Sequence, residues 1–183
     1  MIPAAIRGRA RAAGWALAAV LAVALAVDGA WVAGHTDVLR PLTPGDVAPE
    51  LALPRVGPGG ALGPRLTLTG LRGHVVVLEM WATWCGPCKK SLPGLAALQR
   101  RLGPRGLEVV AIDLDDAKKA RSMFDQAGFP MTLVYDDAGV ADRYGVGVIP
   151  HAVVIDREGV VRGVFRADPA GAERLAERLV AGG

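Results

Sequence analysis

The sequence predicts an α/β domain in which helices cover both faces of a mixed β-sheet. Three observations support this fold class. Short apolar runs with the density of buried strands alternate with segments of helical periodicity. The chain closes with a β-hairpin pattern and an amphipathic helix. About half of the 183 residues are apolar, and no repeat interrupts the pattern, so we expect one packed core.

The first predicted elements are a hairpin, a central strand and a long helix. Residues 49–69 contain short alternating stretches divided by the Gly-Pro-Gly-Gly turn at 57–60, which indicates a hairpin ahead of the main sheet. Residues 74–81 (HVVVLEMW) have the density of a buried central strand. Residues 86–102 repeat leucine at helical spacing, with polar and basic residues between, so a helix should follow that strand.

The remaining elements continue the alternation. Residues 107–114 (LEVVAIDL) have the composition of a second buried strand, and residues 116–127 should form the second helix. Asp168 is a candidate cap for the closing helix. The rest of the pattern predicts a short strand at 131–135 and a helical turn up to residue 144. Two strands of a hairpin follow at 152–155 and 160–165, and a final helix at 169–180.

The N-terminal segment has the pattern of an export signal. A basic start, residues 1–13, precedes an apolar run at 14–34 that only Asp28 interrupts. The run is about as long as the ~20 residues that cross a bilayer, and the positive-inside rule places residues 1–13 in the cytoplasm. We expect a single-pass anchor in the inner membrane, a linker at 35–44 and a folded domain at 45–183 on the periplasmic or other extracytoplasmic side.

A cleaved signal peptide is the alternative to the anchor. The apolar run up to Val27 suits the core of such a signal, and Ala24-Leu25-Ala26 is an acceptable cleavage site. In that case the domain would be secreted or periplasmic. Both readings place the domain outside the cytoplasm.

The charge balance gives little support for nucleic-acid binding. The chain has 21 Lys and Arg against 18 Asp and Glu, a net charge of +3. Three of the basic residues, Arg7, Arg9 and Arg11, lie in the N-terminal segment, so the rest of the chain is nearly balanced. We expect no nucleic-acid partner.

The two cysteines, Cys85 and Cys88, point to redox chemistry. A disulfide framework needs several pairs, and a four-thiolate zinc site needs more cysteines than this chain has. Cys85 would lie at the start of a helix, where free N–H groups and the helix dipole favour a thiolate. Cys88, one turn later, would be the resolving thiol. The alternatives are half of a metal site or a bystander disulfide.

Glu79 and Pro150 are further candidates. Glu79 lies within the predicted buried strand VVVLEMW, where an ionisable group is costly unless it is paired or protonated. It could take and return the proton of Cys88; alternatively, it faces solvent at a strand edge. A cis Ile149–Pro150 bond would bring its loop to Cys85 and offer the Ile149 backbone to an extended substrate. The alternative is an ordinary loop proline.

The motifs together resemble the TlpA/ResA-like branch of the thioredoxin superfamily. The resemblance is carried by WATWCGPCKKSLP, by YGVGVIPHAVVIDREGVV and by the upstream segment GDVAPELALPRV, and it extends over about residues 45–181. It implies a thioredoxin fold with an N-terminal β-hairpin extension. Members of this branch are mainly extracytoplasmic, membrane-tethered thiol–disulfide oxidoreductases, which agrees with the pattern of residues 14–34.

The resemblance also implies residue roles. It makes Cys85 the nucleophile, Cys88 the resolving thiol, Pro150 the cis-proline and Glu79 the buried acid, although many members have Asn at the last position. Trp84, directly before the motif, is a candidate for substrate binding together with Ile149 and Pro150.

Three departures from the family pattern stand out. Val109 is assigned to the position where thioredoxins have a lysine that pairs with the acid, so Glu79 should be easily protonated. His151 follows the cis-proline, where the family commonly has Thr; it is either a polar residue at a strand start or a group that biases the thiolate. Leu51 stands where the hairpin often has an aromatic residue.

The expected function is reduction of disulfides in exported proteins. The Gly-Pro pair inside the motif resembles thioredoxin, whose potential of about −270 mV is that of a reductant. Apocytochrome c is the most familiar family substrate, and a membrane thiol or electron-transfer protein would recharge the enzyme. No motif indicates NADPH or flavin, and we expect neither cofactor nor metal. The alternatives are a disulfide-forming oxidant, a thiol peroxidase, or a non-catalytic binding or chaperone module.

Overall fold

The structure is a computed structural model that describes residues 20–27 and 41–182, and the chain divides into two units, residues 1–40 and 41–183. In the first unit, residues 20–27 are helical and their apolar side chains are exposed. Within the described residues, no helix combines the length and the apolar character needed to cross a membrane. The rest of the predicted anchor or signal at 14–34, and most of the linker at 35–44, lie outside the described residues.

Seven strands form one mixed sheet in the order β2-β1-β5-β4-β3-β6-β7. The strands are β1 (Ala52–Val56), β2 (Leu62–Thr67), β3 (Val75–Trp81), β4 (Leu107–Asp113), β5 (Thr132–Tyr135), β6 (His151–Ile155) and β7 (Val161–Arg166). The central strands β3, β4 and β5 are parallel, and all other pairs are antiparallel. Every residue of β3 is buried, which explains why this strand reads as a continuous apolar run interrupted only by Glu79.

Four helices connect or follow these strands. They are α1 (Gly86–Leu102), α2 (Ala117–Ala127), α3 (Val140–Arg143) and α4 (Pro169–Ala181). The predicted cap is confirmed, because Asp168 Oδ1 accepts a hydrogen bond of 3.0 Å from Gly171 N. Asp116 caps α2 in the same way, accepting from Lys119 N at 3.0 Å.

The two faces of the sheet are covered unequally. The helices α1, α2 and α4 all contribute to the core on one face, through residues such as Leu95, Phe124 and Ala176. The other face packs against Tyr144, which follows the short helix α3, and against apolar residues around the hairpin, including Leu51 and Leu68. The predicted mixed sheet with helices on both faces is confirmed, with most of the helical surface on one side.

The predicted hairpin is confirmed as β1 and β2, and it extends the sheet. Besides pairing with β2, β1 pairs with β5 through Arg55 and Val134. The turn explains the glycine content of this segment. Gly60 has a φ of +85°, and a Cβ at this position would lie 2.5 Å from the Cα of Lys118, so a side chain would prevent the turn from packing against α2.

Candidate active site

The two cysteines lie where the central strand β3 passes into helix α1. Cys85 is the N-cap residue of α1 and is joined to Cys88 by a disulfide, with their Cα atoms 5.3 Å apart. The preceding turn is closed by a hydrogen bond of 3.0 Å from Cys85 N to Ala82 O. Cys88 N donates to Cys85 Sγ at 3.2 Å. A free N–H that points at this sulfur, together with the helix dipole, would stabilise a thiolate on Cys85 once the disulfide is reduced.

Trp84 is an exposed aromatic side chain beside a pair of buried cysteines. Cys85 and Cys88 are 3% and 0% exposed, so the two residues differ little in burial and the position at the helix N-terminus is what distinguishes Cys85. Trp84 is 69% exposed, and Val148, just before the Ile149–Pro150 bond, is 47% exposed. A large exposed aromatic side chain beside a reactive disulfide is suited to contact with another protein.

Glu79 is fully buried on β3, as the sequence predicts, and it does not face solvent at a strand edge. Its Oε1 accepts a hydrogen bond of 3.1 Å from Ser91 Oγ, and its Oε2 has no partner among the described residues. Burial raises the pKa of Glu79 to about 7, the Ser91 hydroxyl lowers it, and the negative charge of Glu173 raises it further. A carboxyl with this pKa can exchange a proton at neutral pH.

Ser91 and Glu173 connect this acid to the motif and to the closing helix. Ser91 Oγ also lies 2.8 Å from Cys88 O, so the same hydroxyl is within hydrogen-bonding distance of the Cys88 backbone and of Glu79. Glu173 is half-buried on α4 and lies against α1 at Gly94, where a Cβ would be 2.5 Å from Glu173 Oε1. The sequence predicts neither residue, because the Ser91 contact joins helix α1 to strand β3 and the Glu173 contact joins α4 to α1.

The pairing of β3 with β4 shows that the expected neighbour of Glu79 was wrong. In the parallel pair of β3 and β4, Glu79 lies opposite Ala111, and Val109 lies opposite Val77. The position next to the acid is therefore Ala111 and not Val109. Both residues are apolar. Glu79 is therefore still expected to be readily protonated, but its apolar neighbour is Ala111.

The Ile149–Pro150 peptide bond is cis, as expected. Strand β6 begins directly after it at His151, which lies opposite Met80 near the end of β3. Because β3 and β6 are antiparallel, Pro150 lies at the same end of the sheet as the loop that carries Cys85. Ile149 is half-buried and packs against the core that contains both cysteines.

His151 is a buried, uncharged residue. It is 0% exposed, and neither ring nitrogen has a hydrogen-bond partner among the described residues. Burial, and secondarily the charge of Arg166, lower the pKa of His151 to about 4. At neutral pH the ring is therefore neutral and cannot attract a thiolate by charge, which favours the interpretation as a polar residue at a strand start.

A second group of acids at this end of the sheet was not singled out from the sequence. Asp113 ends β4 and is 0% exposed, and Asp115 accepts hydrogen bonds from the backbone and side chain of Thr83. The signal was present, because LEVVAIDL places a carboxyl at the end of a buried strand as VVVLEMW does. No group of three or more possible metal ligands occurs in the described part of the chain.

Comparison with known proteins identifies the family. The sequence profile of the AhpC/TSA family matches residues 44–164. The chain belongs to the AhpC/TSA family. ResA, a thiol-disulfide oxidoreductase from Oceanobacillus iheyensis, is 30% identical over 155 residues, covering 81% of this chain and 80% of that protein. The resemblance to the TlpA/ResA-like branch is confirmed by these matches.

Other relatives match shorter stretches. ResA from Bacillus subtilis is 37% identical over 101 residues, which cover 54% of this chain and 56% of that protein. ResA from Bacillus anthracis is 33% identical over 101 residues, which cover 54% of this chain and 58% of that protein. The chain thus spans little more than half the length of several curated relatives that it matches.

Solved structures confirm the thioredoxin fold. A protein from Chlorobium tepidum assigned as a thiol:disulfide interchange protein DsbE is 33% identical and has a TM-score of 0.64, covering 76% of this chain and 99% of that one. A thioredoxin family protein from Chlorobium tepidum TLS is 22% identical, with a TM-score of 0.63, and shows the same fold.

Proposed function

We propose that this chain is an extracytoplasmic thiol–disulfide oxidoreductase that reduces disulfides in exported proteins. The observation that carries this proposal is the Cys85–Cys88 disulfide at the N-terminus of α1, which the hydroxyl of Ser91 links to the buried carboxyl of Glu79. A disulfide in this position is the oxidised form of a pair that exchanges with other disulfides, and the Gly-Pro pair between the cysteines favours reduction of the substrate as the direction. The names of the ResA relatives support the same reaction class.

The reaction begins with reduced protein. The thiolate of Cys85 attacks one sulfur of a substrate disulfide, forms a mixed disulfide with it and releases the other substrate sulfur as a thiolate. Glu79 then takes the proton of the Cys88 thiol, and the resulting thiolate attacks Cys85 Sγ. The Cys85–Cys88 disulfide forms, the second substrate sulfur leaves as a thiolate, and two electrons have passed to the substrate. Glu79 returns its proton when the pair is reduced again.

Recognition of the substrate is assigned to the exposed surface beside the disulfide. Trp84 offers an aromatic face, and the Ile149 backbone next to Pro150 offers hydrogen bonds to an extended peptide. The family resemblance points to apocytochrome c before haem attachment as one substrate, within cytochrome c biogenesis. A membrane thiol donor would recharge the pair, and residues 14–34 would hold the domain in the inner membrane near that donor.

Trapping of the mixed disulfide tests the reaction. We expect Cys88→Ser, which keeps the nucleophile but lacks the resolving thiol, to accumulate a covalent adduct with an oxidised Cys-X-X-Cys-His peptide under non-reducing conditions. Cys85→Ser is the matched control and should form no adduct. Adducts in equal amount with both variants, or with neither, would contradict the assigned roles of the two cysteines.

Localisation is tested separately. We expect an alkaline phosphatase fused after residue 44 to be active, and the fusion to stay in the membrane fraction. Activity in the soluble periplasmic fraction would indicate cleavage of the signal, and an inactive fusion would contradict export.

The opposite direction of electron flow, disulfide formation, uses the same geometry. The reduction potential separates the two directions, since reductants of this fold lie near −270 mV and strong oxidants near about −120 mV.

A further inference from the structure

Asp115, two residues after the end of β4, holds the loop that carries the cysteines, and Asp113 is the last residue of that strand. In the parallel pair of β3 and β4, Trp81 lies opposite Asp113, so the segments that follow these residues leave the sheet side by side. Asp115 uses this proximity: its Oδ1 accepts from Thr83 N, and its Oδ2 from Thr83 Oγ1, both at 2.7 Å. Thr83 lies two residues before Cys85, within the turn that the bond from Cys85 N to Ala82 O closes.

The carboxyl of Asp113, the neighbour of Asp115, lies in a buried environment that disfavours its charged form. Asp113 is 0% exposed; its Oδ1 lies 3.5 Å from Asp115 N, and its Oδ2 has no partner among the described residues. An ionised carboxylate in such a place would keep one oxygen buried without a donor, which is costly. Protonation removes that cost, because the neutral acid becomes a hydrogen-bond donor beside the carboxylate of Asp115.

Electrostatics favour one proton shared by the pair. Burial, the hydrogen bond that a protonated Asp113 can donate to Asp115, and the charge of Asp115 raise the pKa of Asp113 to about 7, and the backbone N–H groups of Asp115 and Asp116 act in the opposite direction. Burial alone would raise the pKa of Asp115, but hydrogen bonds from Thr83 and Asp113 and the charge of Lys119 lower it below its ordinary value. On the neighbouring strands, the residues opposite Asp113 are Trp81 and Tyr135, neither of which is a carboxylate or a cationic side chain. Lys119 on α2 is the cation that acts on Asp115.

We propose that Asp113 and Asp115 form a carboxyl–carboxylate pair that holds one proton and positions Cys85 through Thr83. Both aspartates are positioning residues, since neither contacts the reacting sulfurs. This inference rests on the proposed function, because it assigns the pair a role in the reactivity of Cys85. The ionised Asp115 fixes the turn before the nucleophile, and the protonated Asp113 prevents a second negative charge from building up behind that turn.

The first test follows the amide proton of Thr83 by NMR between pH 5 and 9 in the oxidised full chain. In the wild type this resonance should titrate, since loss of the Asp113 proton alters the carboxylate that the amide contacts. In Asp113→Asn, which cannot ionise, the titration should disappear. Glu79→Gln removes the other buried acid with a pKa of about 7 and is the matched control, in which the Thr83 titration should persist. A titration that survives in Asp113→Asn, or vanishes only in Glu79→Gln, would overturn the proposal.

The second test measures the reactivity of the nucleophile. Thr83→Val removes the hydroxyl donor to Asp115, and Thr83→Ser keeps it. We expect iodoacetamide to alkylate Cys85 in the reduced Thr83→Val variant at least about fivefold more slowly than in the wild type, because a hydrogen bond to a charged group is worth about tenfold or more in an equilibrium. Thr83→Ser should restore the rate. Equal rates in both variants would contradict a positioning role.

The two tests do not depend on turnover. A protein that shows the Thr83 titration and the alkylation difference but reduces no disulfide substrate would support the aspartate pair and contradict the proposed function. A protein that reduces substrates with neither signature would keep the proposed function and overturn this inference.

Discussion

Replacing Glu79 by glutamine should make the stability of the protein less dependent on pH. The carboxyl is fully buried and keeps one oxygen without a partner among the described residues, so its charged form is unfavourable in the folded state. The side-chain oxygen of the glutamine can still accept a hydrogen bond from Ser91, and the amide group does not ionise. The variant therefore isolates the cost of burying this one charge.

The magnitude follows from the pKa of Glu79, which burial raises from its ordinary value of 4.5 to about 7. Because the folded-state pKa is higher than the unfolded-state value, the favourable contribution of the protonated acid is fully present below pH 4.5. It is lost as pH rises towards about 7. The free energy of unfolding of the wild type should fall over this window by about 3 kcal/mol relative to the variant, at about 1.4 kcal/mol per pH unit.

Urea unfolding of the oxidised proteins between pH 4 and 8.5 measures this difference. Asp113 is present in both proteins, so its contribution cancels in the comparison. Glu158→Gln, at an exposed glutamate in the turn between β6 and β7, is the matched control for removing one carboxylate. A stability difference between Glu79→Gln and wild type that stays constant across the pH range would refute the argument that Glu79 is a buried acid with a raised pKa.

Three further predictions concern the same site. Ser91→Ala should raise the pKa of Glu79 above about 7 because its hydroxyl bond is lost, and Glu173→Gln should lower this pKa because a nearby negative charge is removed. Carboxyl ¹³C NMR titration measures both, and shifts in the same direction would contradict the account. Trp84→Ala should lower kcat/KM for a protein disulfide about tenfold, as expected for an exposed aromatic anchor, while urea unfolding changes by less than about 0.5 kcal/mol. An unchanged kcat/KM would contradict its assignment to substrate binding.

Much of the fold could be predicted because local patterns decide it. The bounds of α1 agree with the prediction, since Cys85 caps the helix and leucines at helical spacing follow. The strand around Glu79 was recognisable from an apolar run that only Glu79 interrupts. The hairpin was also predicted, but its pairing with β5 was not, because that contact joins Arg55 to Val134 across most of the domain.

The parts of the site that escaped prediction depend on register and on distant contacts. Val109 and Ala111 point to the same face of β4, so the period of two residues cannot decide which of them lies beside Glu79. Pairing of the strands in three dimensions decides it. The contact of Asp115 with Thr83 likewise exists only because β3 and β4 are parallel neighbours, which the order of residues along the chain does not specify.

Equilibration of the full chain with glutathione or dithiothreitol buffers, followed by thiol trapping, gives the reduction potential of the Cys85–Cys88 pair. A two-electron titration with a midpoint near or below about −270 mV is the predicted result, and it would establish a reductant. A midpoint near about −120 mV would contradict reduction as the physiological direction. Absence of any two-electron titration would contradict thiol–disulfide exchange itself and would favour a non-catalytic binding module.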